Sequence, residues 1–196
     1  NTANEGGGIY CDVSLPTITD CTISGNTVSG FNSNGGGIYC NYSSPTITDC
    51  TISDNTAFSG AGIGCQSHSP VPNTPIISGC TIKNNIASQN GGGILCNDSN
   101  ATLSACTISG NTANDGGGIF CYSGNPTINE STIEGNSSNS NGGGIACYYY
   151  RTLTMSNCTL ENNSAINIWI DSITYSDLVL VNSGPPSSSG ACCTSS

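Results

Sequence analysis

The chain has 196 residues, among them 26 Gly and 13 Cys, with a single Trp, three Phe and only 7% charged residues. Two Lys+Arg stand against twelve Asp+Glu, a formal charge of −10, which argues against nucleic acid and anionic membrane as partners, because phosphate binding needs clustered cations. No uninterrupted apolar run of about 18 residues is present to span a bilayer, and no basic-then-apolar leader opens the chain, which therefore reads as mature or truncated.

Asn1-Thr2-Ala3 reproduces Asn111-Thr112-Ala113, so the chain opens in the middle of a repeating unit with no capping helix before it. The expectation is that upstream units have been removed, or that another copy supplies the missing face. The first full unit then shows two phrases. Gly6-Gly7-Gly8-Ile9 leads to Cys11, and Thr17-Ile18-Thr19-Asp20-Cys21-Thr22-Ile23-Ser24-Gly25-Asn26 follows. Gly-Gly-Gly-Ile begins again at Gly35, Gly91, Gly116 and Gly142, with the variant Gly60-Ala61-Gly62-Ile63 between, at intervals of 25 to 31 residues.

Side chains alternate along a strand. Ile9 and Cys11 share one parity, as do Cys21 and Ile23, but Ile18 lies three residues before Cys21. A corner must therefore fall near Asp20, and each unit should hold three short strands, around Ile9, Ile18 and Ile23, in one triangular turn. Stacking in register gives three apolar columns. They are Ile9, Ile38, Ile63, Ile94, Ile119, Ile145; Ile18, Ile47, Ile77, Leu103, Ile128, Met155; and Ile23, Ile52, Ile82, Ile108, Ile133, Leu160. No coil can bury its stripe alone, so stability comes from neighbours. The fold class is all-β, a parallel β-helix of about six to seven three-stranded coils, a rod about 30 Å long at about 4.8 Å per coil.

A polar column accompanies the apolar ones: Asn26, Asn55, Asn85, Asn111, Asn136 and Asn163 each lie three residues after the third-strand apolar position. An amide both donates and accepts, so these side chains are expected to form an asparagine ladder from coil to coil. The glycines before the first strand mark places where φ is positive or the backbone lies flush against its neighbour, although Ala61 shows that the middle one tolerates a methyl. The insertions Val28 to Asn34 and Gln66 to Pro75 are too short for a domain. Residues 166–183, with Ile168, Ile170, Ile173, Val179 and Asn182, read as a degenerate last coil, and residues 184–196 as a Pro/Ser-rich tail.

The cysteines fall in two interior columns: Cys11, Cys40, Cys65, Cys96, Cys121, Cys147, and Cys21, Cys50, Cys80, Cys106, Cys158 with Ser131 interrupting. With no CxxC pair, a single His68, and Cys192 and Cys193 adjacent only in the tail, zinc spacing is absent. Thiols in this number point to an oxidising, extracellular location. Bonds along a column are disfavoured because parallel Cβ atoms stay about 4.8 Å apart where a disulfide needs about 3.8 Å. Bonds within a coil, Cys11–Cys21, Cys40–Cys50, Cys65–Cys80, Cys96–Cys106 and Cys147–Cys158, would each close a short loop and contribute about 2–3 kcal/mol. Buried free thiols acting as small hydrophobes are the alternative, favoured by Ser131, which faces an unpaired Cys121.

Paired phrases such as Ile108-Ser109-Gly110-Asn111 and Gly116-Gly117-Gly118-Ile119 resemble the aliphatic-or-aromatic-x-x-Asn and Gly-Gly-x-Ile motifs of right-handed parallel β-helix repeat proteins. These include the polymorphic outer-membrane proteins and many secreted bacterial surface proteins. The resemblance covers residues 1 to about 165 and implies a right-handed helix with an extracellular adhesive or structural role. Cysteine at two interior columns departs from the ordinary hydrophobes of such families.

β-Helices of this hand also carry polysaccharide lyases and hydrolases, which need a cationic base beside an acid cluster, or paired carboxylates. The only cations, Lys83 and Arg151, belong to coils three and six. Asp20 and Asp49 stack at one corner with Glu130 three coils on, and equal carboxylates in that setting more often sit hydrated. His68 reads as a solvated loop residue. No catalytic residue, cofactor or metal is therefore assigned. Outside, Thr22, Thr51, Thr81, Thr107, Thr132 and Thr159 form a Thr column, and Thr17, Thr46, Thr102, Thr127 and Thr154 nearly another. Such arrays occur in ice-binding solenoids, but Thr is also simply a good strand former. Tyr10, Tyr39, Leu95 and Phe120 form a further outer column able to dock another chain or a sugar ring. Sequons at Asn41, Asn97, Asn100, Asn129, Asn157 and Asn162 are open to glycosylation, whereas that at Asn136 belongs to the ladder. The leading expectation is a secreted, non-enzymatic structural protein, a fibre subunit or adhesin stalk that self-associates end to end through open coils. A carbohydrate- or ice-binding module is the alternative, and a polysaccharide-degrading enzyme the third reading.

Overall fold

The computed structural model describes residues 1–67, 72–149, 152–164 and 168–169, with the backbone alone of 172–176 and 179–181. The second coil shows the unit: Ile38–Asn41, Thr46–Thr48, Thr51–Ser53 and Thr56–Ala57. Corresponding strands of successive coils pair in parallel, giving three seven-stranded sheets and one of six strands. These are the first to fourth faces of a solenoid in chain order.

The three apolar columns meet in the expected register, for example Ile9↔Ile38, Ile77↔Leu103 and Ile133↔Leu160. From Ile38 to Ile145 the first-face isoleucines have no exposed surface. Each such side chain contributes about 1.5–3 kcal/mol by leaving water. The corner expected near Asp20 is present, with φ of 54° at Asp20, 53° at Asp49, 52° at Ala105 and 50° at Glu130. In the last coil Ile168 pairs with Ile145, Tyr175 with Met155 and Leu180 with Leu160. Ile170, Asn182 and the tail over residues 184–196 lie outside the described residues.

The count of strands per coil needs correction from three to four. Between ladder Asn and Gly phrase runs a two-residue strand, such as Thr27–Val28 or Ile86–Ala87. Two residues are too few to show an alternation, so this element had no periodic signature. Its inward side chains are Val28, Ala57, Ala87 and Ala113, which with Ala61 form a small cluster apart from the main core. They are small because the glycine backbone lies directly against them: a Cβ built on Gly36 would stand 2.9 Å from the Thr56 carbonyl oxygen.

The three glycines of each phrase have different physical reasons. The first takes a left-handed turn, with φ between 54° and 69° at Gly6, Gly35, Gly60, Gly91, Gly116 and Gly142. The third faces the ladder. A Cβ on Gly93 would lie 2.6 Å from the Gly118 carbonyl oxygen and 3.1 Å from Asn111 Nδ2. Glycine phrase and asparagine column are thus one device, in which the missing side chain leaves the space that the amide occupies.

The ladder itself is continuous from Asn26 to Asn163. Each Asn Oδ1 accepts two bonds from the preceding ladder residue, one from its backbone N–H and one from its Nδ2, as at Asn55→Asn85 (3.0 and 2.9 Å) and Asn111→Asn136 (3.0 and 2.9 Å). Nδ2 also donates to a strand carbonyl of the preceding coil, Asn85 to Ile52 and Asn136 to Ile108. Donors and acceptors that the bend would otherwise strand inside the core are thereby paired.

All eleven described cysteines are free thiols and no pair approaches disulfide distance. The within-coil bonds Cys11–Cys21, Cys40–Cys50, Cys65–Cys80, Cys96–Cys106 and Cys147–Cys158 are accordingly not formed in this structure. Each thiol contacts its own column instead. Contact with the next thiol of the stack, together with burial, pushes Cys96 well above the usual thiol range. The second column acts as a sulfur counterpart of the amide ladder at the other bend. Cys50 Sγ accepts from the Cys21 backbone N–H at 3.4 Å and donates to the Thr48 carbonyl at 3.2 Å. Ser131 Oγ does the same, accepting from the Cys106 N–H at 3.1 Å and donating to the Asn129 carbonyl at 2.7 Å. The interruption at Ser131 therefore preserves the hydrogen bonding of its column.

Candidate functional site

Alternation that sends Ile9 and Cys11 inward sends the residues between them outward, so the first face presents two columns to the exterior. One reads Tyr10, Tyr39, Gly64, Leu95, Phe120, Ala146. Beside it runs Asp12, Asn41, Gln66, Asn97, Tyr122, Tyr148. An apolar column and an amide-rich column thus share one surface. From the second coil to the fifth they line an open groove of about 610 Å³, to which Asn32, Asn34, Phe58 and Asn90 also contribute.

Gly64 is the point where the apolar column loses its side chain. The Tyr39 ring fills the gap, its Cδ2 lying 3.2 Å from where a Gly64 Cβ would stand. Tyr39 donates its hydroxyl to Gln66 Oε1 at 2.9 Å, and Asn34 Nδ2 donates to the same oxygen at 3.1 Å. Desolvation pushes the Tyr39 phenol up to about 12, so it remains a neutral donor. The floor is completed by Leu95 and Phe120, each 5% exposed. On the rim Tyr42 and Tyr122 are 42% and 38% exposed, and Tyr122 packs on Tyr149 with ring centroids 4.5 Å apart. Asn97 leaves its buried Oδ1 without a hydrogen-bond partner among the described residues. Among the described residues Glu5 is the one charged member of the lining.

Beyond the groove the same surface is closed by Tyr148, stacked between Phe120 (5.1 Å) and Trp169 (4.3 Å). Its hydroxyl donates to Asp115 Oδ1 at 3.0 Å and accepts from Asn141 Nδ2 at 2.9 Å. Desolvation, with the Asp115 charge adding, pushes Tyr148 up to about 12.

The remaining sequence candidates are dispersed. Asp20, Asp49 and Glu130 are exposed and hold left-handed bend positions that Gly79 and Ala105 occupy on the coils between. Lys83 is exposed on the third face. His68 and Arg151 lie outside the described residues. The third-face Thr column is in register throughout, from Thr22↔Thr51 to Thr132↔Thr159, whereas Ile76, 48% exposed, interrupts the second-face column. Among the sequons, Asn157 and Asn162 are exposed at corners, Asn41, Asn97, Asn100 and Asn129 are half-buried, and Asn136 is buried in the ladder. Gln66, Asn34 and Asn97 went unnoticed as groove residues in sequence. The available signal was Gly64, a glycine in a column of large side chains.

A stack of parallel coils with a buried asparagine ladder defines a β-solenoid. The chain matches the family described as "Right handed beta helix region" over residues 1–88 and 78–183, and it belongs to that family. Comparison with curated proteins and with solved structures finds no match.

Proposed function

We propose that this chain is a rigid, non-catalytic segment of an extracellular rod, acting as a fibre subunit or as the stalk of a surface adhesin akin to the polymorphic outer-membrane proteins. The observation that carries the reading is the unbroken interior register, in which Ile, thiol and amide columns each continue coil after coil. Such an interior stiffens the rod along its whole length and makes each coil's stability depend on its neighbours. Buried thiols whose ionisation is suppressed are also poor targets for oxidants, which suits an oxidising exterior. The Asn-, Ser- and Thr-rich sequence hydrates the rod with few charged residues, 7% of the chain. The strand row beginning at Thr2–Ala3 and Ile9–Asp12 is paired on one side only, and such a row accepts a further coil, whether from a second copy or from chain preceding Asn1.

Electron microscopy of the native material tests this. The expectation is linear rods or filaments with an axial repeat of about 4.8 Å, exposed to protease added to intact cells. Material consisting only of single, unassembled 196-residue chains inside the cell would overturn it.

A further inference from the structure

We infer that the first-face groove binds an uncharged polysaccharide lying parallel to the solenoid axis. Four observations converge on that ligand class. First, the polar wall is built of amides, Asn34, Asn41, Gln66 and Asn97 among them. Amides both donate and accept, as sugar hydroxyls do, and among the described residues no cation lines the groove to hold an anionic chain. Glu5 and the net charge of −10 repel one. Second, the exposed rims carry Tyr42 and Tyr122, and Tyr122 is braced by Tyr149. Rings held this way offer flat, low-entropy surfaces to the apolar face of a pyranose. Third, Asn97 Oδ1 is a buried acceptor with no partner among the described residues. Such an atom carries a desolvation cost that a ligand hydroxyl would offset once the side chain turned toward it. Fourth, the coil rise of about 4.8 Å sets Asn41, Gln66 and Asn97 on three successive coils in a row parallel to the axis, along which a linear chain can make repeated contacts.

A peptide strand suits the groove less well, because the surface is the face of a sheet whose backbone groups are already paired from coil to coil. This inference does not require the rod reading, and a monomer would bind equally.

The test is affinity electrophoresis of the 196-residue chain in native gels containing hydroxyethylcellulose, laminarin, glucomannan or polygalacturonate. The negative charge drives migration without added detergent. The expected result is retardation in at least one of the three neutral gels and none in polygalacturonate. Tyr122→Ser and Asn97→Leu should each weaken that retardation at least fivefold, while Thr51→Ala, on the third face, leaves it unchanged. Circular dichroism establishes that all three variants are folded, and the exposed Tyr122 keeps the test open should Asn97→Leu unfold. Free migration in every neutral gel, retardation in polygalacturonate alone, or retardation that survives Tyr122→Ser and a folded Asn97→Leu would overturn the inference.

Discussion

Truncating a central rung of the ladder should cost far more than truncating its first rung. Asn85 Oδ1 accepts from the backbone N–H and the Nδ2 of Asn55, while its own Nδ2 donates to the Ile52 carbonyl and to Asn111 Oδ1. Asn85→Ala removes all four bonds and leaves the Asn55 N–H buried without a partner. At about 1–3 kcal/mol for the orphaned donor and about 1 kcal/mol for each further bond, less the relaxation of the neighbours, the loss comes to about 3–5 kcal/mol. Asn26 differs. Its Oδ1 serves only Asn1, at 3.0 and 3.4 Å in a partly exposed setting where water replaces the lost partner, and the one buried bond lost is that from its Nδ2 to Asn55 Oδ1, so Asn26→Ala should cost about 1 kcal/mol. Urea unfolding followed by far-ultraviolet circular dichroism ranks the two. Native-state hydrogen exchange locates the damage, because a solenoid need not unfold in one step. The expected pattern is faster exchange in the coils on either side of Asn85. Costs for the two variants within 0.5 kcal/mol of each other would refute the argument that buried pairing, and not mere turn preference, selects asparagine here.

At the other bend, Ser131→Cys should be nearly neutral and Ser131→Ala should lose about 1–3 kcal/mol, because only the latter strands the Cys106 N–H; thermal melts compare them. Gly93→Ala should prevent native folding, since its methyl would meet the Gly118 carbonyl oxygen at 2.6 Å, whereas Gly25→Asn, at a corner that is open around Gly25 and where Asp54 and Asn84 already adopt positive φ, should leave the melting temperature within a few degrees; soluble yield and melting read both. The rod should also lose stability in alkali. Burial raises Cys80 to about 12 and raises Cys50, Cys106 and Cys158 as well. Stability is therefore full below the unfolded thiol range near pH 8.5 and falls above it, by about 1.4 kcal/mol per pH unit for each thiol that ionises only on unfolding. Urea midpoints that stay constant from pH 8 to 10.5 would contradict this.

The parts of the fold that repeat were legible in sequence, because a column of six like residues needs only correct spacing to be seen. Ile38, Asn55 and Thr51 all met their expected neighbours. The fourth face escaped because Thr56–Ala57 is too short for a period. The sequence left within-coil bonds and buried free thiols open, because spacing along the chain says which cysteines share a coil but not which way their Sγ atoms point, and in the second column the partners are backbone groups at the bend. The groove was half visible: Tyr39, Leu95 and Phe120 stood out as an outer column, but its polar wall depends on the loop before Gly35, whose Asn34 reaches Gln66 on the next coil. Irregular loops carry no register from which such a contact could be read.

Because each coil from Asn26 to Asn163 presents the same amide to its neighbours, the interiors of adjoining units are interchangeable. Excision of one whole unit would bring Asn55 face to face with Asn111 and Ile52 with Ile108, partners of the same kind as those removed. Rod length is thereby a quantity that gene duplication or loss can adjust in whole coils while the interior columns still meet partners of their own kind.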